Sequence, residues 1–197
     1  VLKAPFIWLQ SYCKLSSLDE YNNFSDIMTW SEERGLKSAF YFIAGQTDPV
    51  KDAAYRLTDR AIKEGMQDIH KRGHEIGLHP SYHTYLSPDR LMQEADNLRH
   101  VCKELAVNQK SWGGRMHYLR WQTPATCHGW EKAGMDYDCS LGYADHPGFR
   151  CGTCHEYPAF DPVARKLFNF KIRPLIAMEA SILSDKYYGS GSYIRSL

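Results

Sequence analysis

The apolar residues of this chain alternate between helical and strand-like spacing. Apolar positions at helical spacing predict a helix over about 19–34, ended by Gly35. The run over 38–45 that follows is continuously apolar and is bounded by glycine. Such a run is typical of a parallel strand that is buried on both faces. The first part of the chain therefore predicts a helix, a glycine stop and a buried strand.

The same unit recurs further along the chain. A helix is predicted over 57–72, and Gly73 separates it from a short strand over 75–78. The pair Ser87-Pro88 is a strong helix start, with Ser as N-cap and Pro in the first helical position. The helix that follows leads to a short strand over 111–117.

A last unit and a different C-terminal region follow. Thr123-Pro124 starts another helix, Gly134 stops it, and 135–138 form the next strand. Further predicted elements are a long functional loop over 141–156, strands over 168–172 and 175–178, and a turn-like tail over 187–192, while 1–17 fit no element. Units that recur roughly every 35 residues predict one α/β domain over 1–197.

Composition and charge exclude some partners. Lys and Arg number 24 and Asp and Glu 23, giving a net charge of +1 with no basic stripe, so nucleic acid is not expected as a partner. No apolar run approaches the roughly 20 residues that span a membrane. The six cysteines are too few for a disulfide scaffold of this length, and most are interpreted as buried free thiols in a reducing compartment. A cytoplasmic location is therefore expected.

Two histidines on one turn are the first candidates for chemistry. His79 and His83 follow the strand over 75–78, and Pro80 between them argues against a continuing helix. Neutral imidazole is the commonest metal ligand, and two on one turn can chelate one ion. The spacing alone is not specific for a metal, and the alternative is two loop histidines that make ordinary hydrogen bonds.

Further candidates follow the next two strands. Arg115 can fix a carboxylate, and it would share one face with His117 if its strand continued. Asp138 could orient Arg115 or supply charge to the site. A solvated strand end and an exposed aspartate are the alternatives. The string Cys151-Gly152-Thr153-Cys154-His155 matches c-type haem attachment, could ligate a structural zinc, or could carry plain loop thiols.

Together these residues resemble the polysaccharide deacetylase superfamily, the nodulation-type deacetylases of carbohydrate esterase family 4. The run Gly73-His74-Glu75-Ile76-Gly77-Leu78-His79-Pro80-Ser81-Tyr82-His83 resembles the second motif of the family, and 38–42 resembles its "T-F-F" strand. The regions 115–121 and 137–153 resemble a bacterial subgroup associated with surface-polysaccharide clusters. The resemblance implies a distorted (β/α) barrel with a metal at the carboxyl-terminal rim of its strands.

The resemblance also implies the roles of residues. His79 and His83 would bind a divalent metal, most simply Zn²⁺, with Co²⁺, Mn²⁺ or Ni²⁺ as alternatives. Arg115 would be the arginine of the third motif and Asp138 the aspartate that orients it. The substrate-binding candidates are His117, Tyr118, Trp121 and Tyr143. The implied reaction is the removal of N- or O-acetyl groups from a carbohydrate by metal-activated water.

Two motifs of the family have no match. No strand ending in paired aspartates precedes residue 38, and no strand ending in a catalytic histidine follows residue 183. The chain is therefore expected to be a fragment cut at both ends or a degenerate member, with little or no activity as given. The alternatives in other classes are a non-catalytic carbohydrate-binding relative and a redox or metal protein built on the CxxCH string.

Overall fold

The structure is a computed structural model that describes residues 22–182. The strands are β1 (Ala39–Phe42), β2 (Glu75–Leu78), β3 (Gly113–Gly114), β4 (Tyr137–Asp138), β5 (Tyr157–Asp161) and β6 (Lys166–Ile172). The helices are α1 (Phe24–Glu32), α2 (Arg60–Lys71), α3 (Pro88–Glu104), α4 (Ala125–Lys132) and α5 (Glu179–Ile182), with 3-10 turns at Thr84–Leu86 and His117–Leu119. None of the helices in this part of the chain is long and apolar enough to cross a bilayer.

The strands form one mixed sheet in the order β1-β2-β3-β4-β6-β5. The pairs from β1 through β4 to β6 are parallel, and β5 is antiparallel to β6. Helices alternate with the parallel strands, as the spacing of apolar residues predicts. Within residues 22–182 the sheet is open, with β1 and β5 at its edges, so the closed barrel that the resemblance implies is not confirmed.

One apolar cluster joins the sheet to the helices. It includes Phe40, Phe42, Ile76, Leu78, Phe168 and Phe170 from the strands, and Met66, Ile69, Leu91, Leu98 and Trp130 from the helices. Tyr41 lies between Phe40 and Phe42 and therefore points to the opposite face of the sheet. There Cys139 donates its Sγ hydrogen to the Tyr41 hydroxyl at 3.1 Å. Burial of this ring raises the pKa of Tyr41 well above its usual range.

Most predicted elements are present with shorter bounds. The helix predicted to start at Ser87-Pro88 begins there, and the Ser87 hydroxyl accepts a hydrogen bond from the Arg90 N–H at 3.4 Å. The strand over 75–78 is found at those residues, and the long loop over 141–156 contains no helix or strand. The cysteine prediction also holds in part: Cys102, Cys127 and Cys139 are buried free thiols, and Cys154 is exposed. Cys13, 1–17 and 187–192 lie outside the described residues.

Three predictions about strands are wrong. The strand over 111–117 is only Gly113–Gly114, and a 3-10 turn follows at His117–Leu119, in which Tyr118 and Leu119 have φ values of 54° and 53°. Arg115 and His117 therefore do not share a strand face. The segment 175–178 is not a strand. It instead bonds to the long loop, with the Leu175 N–H donating to Leu141 O and Ile176 O accepting from the Gly148 N–H.

Strand β5 is absent from the sequence prediction. It contains Pro158, which removes a backbone donor and weakens the strand pattern. Its position at the edge of the sheet, paired only with β6, explains how the proline is tolerated.

Gly114 is expected to be essential for the packing of β3 against β2. A Cβ at this position would lie against the carbonyl oxygen of Leu78, which is backbone and cannot rotate away. We expect Gly114→Ala to lower the free energy of unfolding by more than about 3 kcal/mol. The matched control is Gly65→Ala in α2, where nothing lies within 4 Å of the added carbon, and it should raise stability by about 1 kcal/mol. Urea denaturation measures both, and equal effects would contradict the prediction.

Candidate active site

The predicted site residues follow the carboxyl ends of neighbouring parallel strands. Leu78, the last residue of β2, pairs with Gly114 of β3, and Gly114 pairs with Asp138 of β4. The loop after β2 carries His79 and His83. Ligands and catalytic groups collect at this edge in open α/β sheets, because the loops of adjacent strands meet there. The strand register therefore brings the loops that carry the candidates to one edge.

His79 makes two defined contacts. Its Nδ1 lies 2.7 Å from the carbonyl oxygen of Arg115, and its Nε2 lies 2.9 Å from Nδ1 of His117. Burial lowers the pKa of His79 to about 4, although the hydrogen bond to the Arg115 carbonyl opposes this shift. The ring is therefore neutral near pH 7, and because a carbonyl can only accept, the proton is on Nδ1.

His117 is part of the same cluster. Its Nε2 lies 2.8 Å from the carbonyl oxygen of Lys51 and 3.9 Å from Oδ1 of Asp52. The side chain is only 15% exposed, and its ring packs edge-on against that of His79 at 4.7 Å between centroids. The sequence predicts His117 as a substrate-binding residue, but its polar atoms contact the protein.

His83 lies on the solvent side of the same turn. Its side chain is 49% exposed, and Nε2 lies 3.4 Å from Oδ2 of Asp48. The ring packs edge-on against Tyr82 at 4.9 Å between centroids. No contact in the described part of the chain joins His83 to His79. The two predicted metal ligands thus lie on one turn but have different partners.

Asp52 connects the loop after β1 to the turn that carries His79 and His83, which is called the histidine turn below. Its Oδ2 accepts hydrogen bonds from the N–H groups of Thr47 and Asp48, and its Oδ1 accepts one from Tyr82, each at 2.7 Å. Burial acts to raise the pKa of Asp52, but these hydrogen bonds outweigh it and hold the pKa below its usual range. Asp52 is therefore an ionised, fully bonded group that fixes the backbone on both sides of the site.

A second buried carboxylate supports the turn from helix α3. Glu94 accepts a hydrogen bond from the Ser81 N–H at 2.8 Å and a short one from the Ser81 hydroxyl. Burial raises the pKa of Glu94, and the negative charge of Asp52 raises it further, against the effect of the Ser81 bonds. Glu94 packs against Gly45, where any Cβ would strike its carboxylate. Helix α3 thereby holds the turn at Ser81, midway between the two histidines.

The sequence prediction missed Asp48, Asp52 and Glu94. Asp48 and Asp52 come shortly after a buried parallel strand, as His79 does, and this position was the available signal. Glu94 lies on the apolar face of α3, three residues after Leu91 and four before Leu98. Charged residues are rarely buried without a partner, so the position of Glu94 on the apolar face was a sign that its carboxylate is bound by another group.

Arg115 and Asp138 do not form the direct pair that the sequence suggests. Arg115 Nε donates to the carbonyl oxygen of Cys139 at 3.2 Å. Asp138 is fully buried and accepts hydrogen bonds from Trp130 Nε1 and the Ser140 N–H, both at 2.8 Å. Burial raises the pKa of Asp138 to about 7. Asp138 thus fixes α4 to the end of β4 and has no surface that a substrate could touch.

The three aromatic candidates lie in different surroundings. Tyr118 is 65% exposed and packs edge-on against Tyr82 at 5.3 Å, on the rim beside His117. Tyr143 is 38% exposed and stacks on His146 at 4.3 Å within the long loop. Trp121 is half-buried, and its indole N–H donates to Thr123 at 3.0 Å. Tyr118 is therefore the aromatic candidate that borders the histidines.

The predicted metal was tested against the donor atoms of the site. Among residues 22–182, no three or more His, Cys, Asp or Glu side chains converge so that they could hold a metal ion, and this includes the CxxCH string. His79 has one feature of a ligating histidine, because its Nδ1–H is bound to a backbone carbonyl, but its Nε2 lies 2.9 Å from Nδ1 of His117. The site thus offers a suitable ligand atom without a complete ligand set in this part of the chain.

Comparisons with known proteins give one similarity of interest. No family model matches the chain, and no match was found among curated proteins. The chain is similar to a crystal structure described as a "putative polysaccharide deacetylase" from Mycobacterium smegmatis, with 17% sequence identity and a TM-score of 0.49. The match covers 79% of this chain and 46% of that one, so the chain spans less than half of that protein. At this level of similarity no conclusion about function follows.

Proposed function

We propose that the chain belongs to a metal-dependent hydrolase that removes N- or O-acetyl groups from a carbohydrate. The observation that supports this most directly is the neutral His79, whose Nε2 lone pair faces a second imidazole at the carboxyl edge of the sheet. The sequence around it, from Gly73 to His83, is the run that resembles the deacetylase motif. Carboxylates, an arginine and exposed aromatic rings lie on the neighbouring loops, and these are groups that an acyl hydrolase acting on a sugar can use.

Each group at the site has a proposed task. A divalent metal held by His79 and His83 would supply Lewis acidity and would lower the pKa of bound water to near neutrality. Asp48 has 16% of its side chain exposed and is the carboxylate proposed to take up the proton of the attacking water. Hydrogen bonds from the Val50 and Lys51 N–H groups hold the pKa of Asp48 below its usual range, so it is ionised at neutral pH.

The remaining residues position the substrate and the loops. Arg115 is proposed to orient the acetylated group, with Tyr118 and, from the long loop, Tyr143 stacking against sugar rings. Trp121 stays a substrate-binding candidate through its partly exposed ring. Asp138 acts on the site only by fixing the strand end beside Arg115.

The proposal predicts acetate release that depends on a metal. The chain, and a longer chain of the same protein, would be incubated with N-acetylated and O-acetylated sugars, with a chelator, and with the chelator followed by excess Zn²⁺. We expect chelation to abolish acetate release and Zn²⁺ to restore it, because the metal supplies the Lewis acid. Absence of acetate from both chains with Zn²⁺ present would refute the enzyme assignment.

A carbohydrate-binding relative without activity is the second candidate. The exposed ring of Tyr118 favours this function. Tyr82 packs against that ring, and the Arg120 guanidinium lies 4.0 Å from the centre of the Tyr82 ring, so aromatic and cationic groups lie side by side. Such a rim can stack sugars without any chemistry. Equal sugar binding with and without chelator, together with no acetate release, would favour this function.

A further inference from the structure

We propose that Arg120 is the recognition site for an anionic group, a carboxylate or a phosphate, on the carbohydrate that the chain binds. Arg120 has no task in the proposed hydrolysis. The inference rests on the proposed function for the use of a carbohydrate, and it deepens that function by naming the charge of the substrate. Its own evidence is the surroundings of one guanidinium group and the place of that group beside the histidine turn.

Two tyrosine rings hold the guanidinium of Arg120. Its Cζ lies over the ring of Tyr82 and over the ring of Tyr85, at 4.0 Å from each ring centre. A guanidinium is planar and is attracted to aromatic faces, so contact with two rings restrains the side chain more than contact with one. The positively charged group is therefore held in place before a ligand binds.

The two tyrosines are themselves anchored to different parts of the fold. The Tyr82 N–H donates to Oδ1 of Asp52 at 2.7 Å, and the Tyr85 carbonyl oxygen accepts from the Thr126 hydroxyl at 2.9 Å. These bonds connect the tyrosines to the loop after β1 and to α4. A donor that is already positioned loses little conformational freedom when it binds a ligand, so Arg120 is suited to recognition.

The edge of the Arg120 guanidinium still has hydrogen-bond donors to offer. Its Nη1 donates to the Tyr82 carbonyl oxygen at 3.1 Å. Within residues 22–182 no carboxylate pairs with Arg120, and its remaining N–H groups have no protein acceptor. The planar fork of these N–H groups matches two oxygens of one carboxylate or phosphate. A half-buried guanidinium without a counter-ion thus favours an anionic ligand over a neutral one.

A second cation lies near the same ring. Lys51 is exposed, and its Nζ is 3.8 Å from the centre of the Tyr82 ring. It also lies 3.6 Å from Oδ2 of Asp48, so part of its charge is compensated. Lys51 adds to the positive potential around Tyr82, whereas Arg120 supplies the directed hydrogen bonds.

The proposed anion site lies beside the site proposed for the acetyl group. The Tyr82 ring packs edge-on against the rings of His83 and Tyr118, at 4.9 Å and 5.3 Å between centroids. Because Tyr82 contacts both the exposed Tyr118 ring and the Arg120 guanidinium, one carbohydrate chain can contact the two groups together. The charged substituent would then select the substrate without taking part in the hydrolysis.

The test compares sugars that differ only at carbon 6: N-acetylglucosamine, its 6-phosphate and its 6-carboxylate, N-acetylglucosaminuronate. Dissociation constants are measured by calorimetry in metal-free buffer, so that a metal-dependent reaction does not consume the sugar. Arg120→Gln keeps an N–H donor for the Tyr82 carbonyl but removes the charge and the fork. Arg120→Lys keeps the charge and the long side chain and loses only the fork. The matched control is Arg60→Gln, since Arg60 is exposed on α2 and pairs with Glu64.

We expect the original chain and Arg60→Gln to bind at least one anionic sugar about tenfold or more tightly than N-acetylglucosamine. The anionic sugar that is preferred identifies the group as a carboxylate or a phosphate. The preference should fall to within about twofold in Arg120→Gln and at least about threefold in Arg120→Lys, because the paired hydrogen bonds are lost. A purely structural role of Arg120 would weaken the binding of all the sugars alike and leave the preference unchanged.

The inference would be overturned by equal affinities for all the sugars in the original chain, or by no binding of any of them. A preference for anionic sugars that survives in both Arg120 variants would also overturn it, since the anion would then bind elsewhere. Circular dichroism shows whether each variant keeps the fold, and Arg120→Lys supplies the answer if Arg120→Gln does not fold.

This result is separable from that of the acetate assay. A preference for anionic sugars that Arg120→Gln removes, without any metal-dependent acetate release, would reject the enzyme and retain the anion site. Acetate release with the same kcat/KM from the neutral and the anionic sugars would retain the enzyme and overturn the anion site.

Discussion

Acetate release, measured in whichever of the given and the longer chain shows it, is expected to fall at least about a thousandfold when His79 is replaced by asparagine, with little change in stability. The loss corresponds to about 4 kcal/mol of transition-state stabilisation, which is the order expected when a Lewis acid is lost from a hydrolase. Stability should change little, because the asparagine amide can keep the hydrogen bond to the Arg115 carbonyl that the histidine Nδ1 makes. Initial rates of acetate release at saturating Zn²⁺ measure the effect.

The comparison variant is His155→Asn. His155 is exposed on the long loop, and its backbone N–H donates to the Thr153 hydroxyl at 3.0 Å, which the substitution leaves in place. Its rate should lie within about twofold of the original chain. Retention of more than a tenth of the rate in His79→Asn, with the fold intact, would show that the reaction does not use this imidazole.

Short sequence patterns predicted the helix ends and the strand that depend on residues close together in the chain. Gly73 has a φ of 81° and ends α2 as expected, because this left-handed conformation costs a glycine little. Ser87 caps α3 and the strand over 75–78 lies at the predicted residues. The position of His79 just after a parallel strand was predictable as well, because the apolar run ends at Leu78 and Pro80 follows.

Contacts between distant segments could not be predicted in this way. The partner of His79 is His117, 38 residues further along the chain, and His117 lies in a turn whose next residue, Tyr118, has a positive φ. Asp52 and Glu94 bond to the histidine turn across 30 and 13 residues. No periodicity encodes such pairs, because they depend on strand order and on how the loops pack. A family motif likewise identifies residue types, whereas hydrogen bonds determine which nitrogen atoms are available.

Replacing Asp52 by asparagine is expected to lower the free energy of unfolding by about 3 kcal/mol at pH 7. The carboxylate accepts three backbone N–H bonds, two on Oδ2 and one on Oδ1. Asparagine has one oxygen, so its amide nitrogen must face an N–H donor, and the remaining bonds lose their ionic character. The exposed Asp68→Asn in α2 is the matched control and should change stability by less than about 0.5 kcal/mol.

The pH dependence separates the charge of Asp52 from simple disruption of packing. Its pKa in the folded chain is below the value of about 3.9 of an unfolded aspartate, so the unfolded state binds more protons over the interval between the two. Its contribution to stability is therefore fully present above about pH 4 and is lost as the pH falls through the folded-state pKa. Urea denaturation of the original chain and of Asp52→Asn would be measured at pH 7, 5 and 3. The difference between their free energies of unfolding should be the same at pH 7 and 5 and smaller at pH 3. A difference that does not change with pH would mean that Asp52 stabilises the loop through packing and not through its charge.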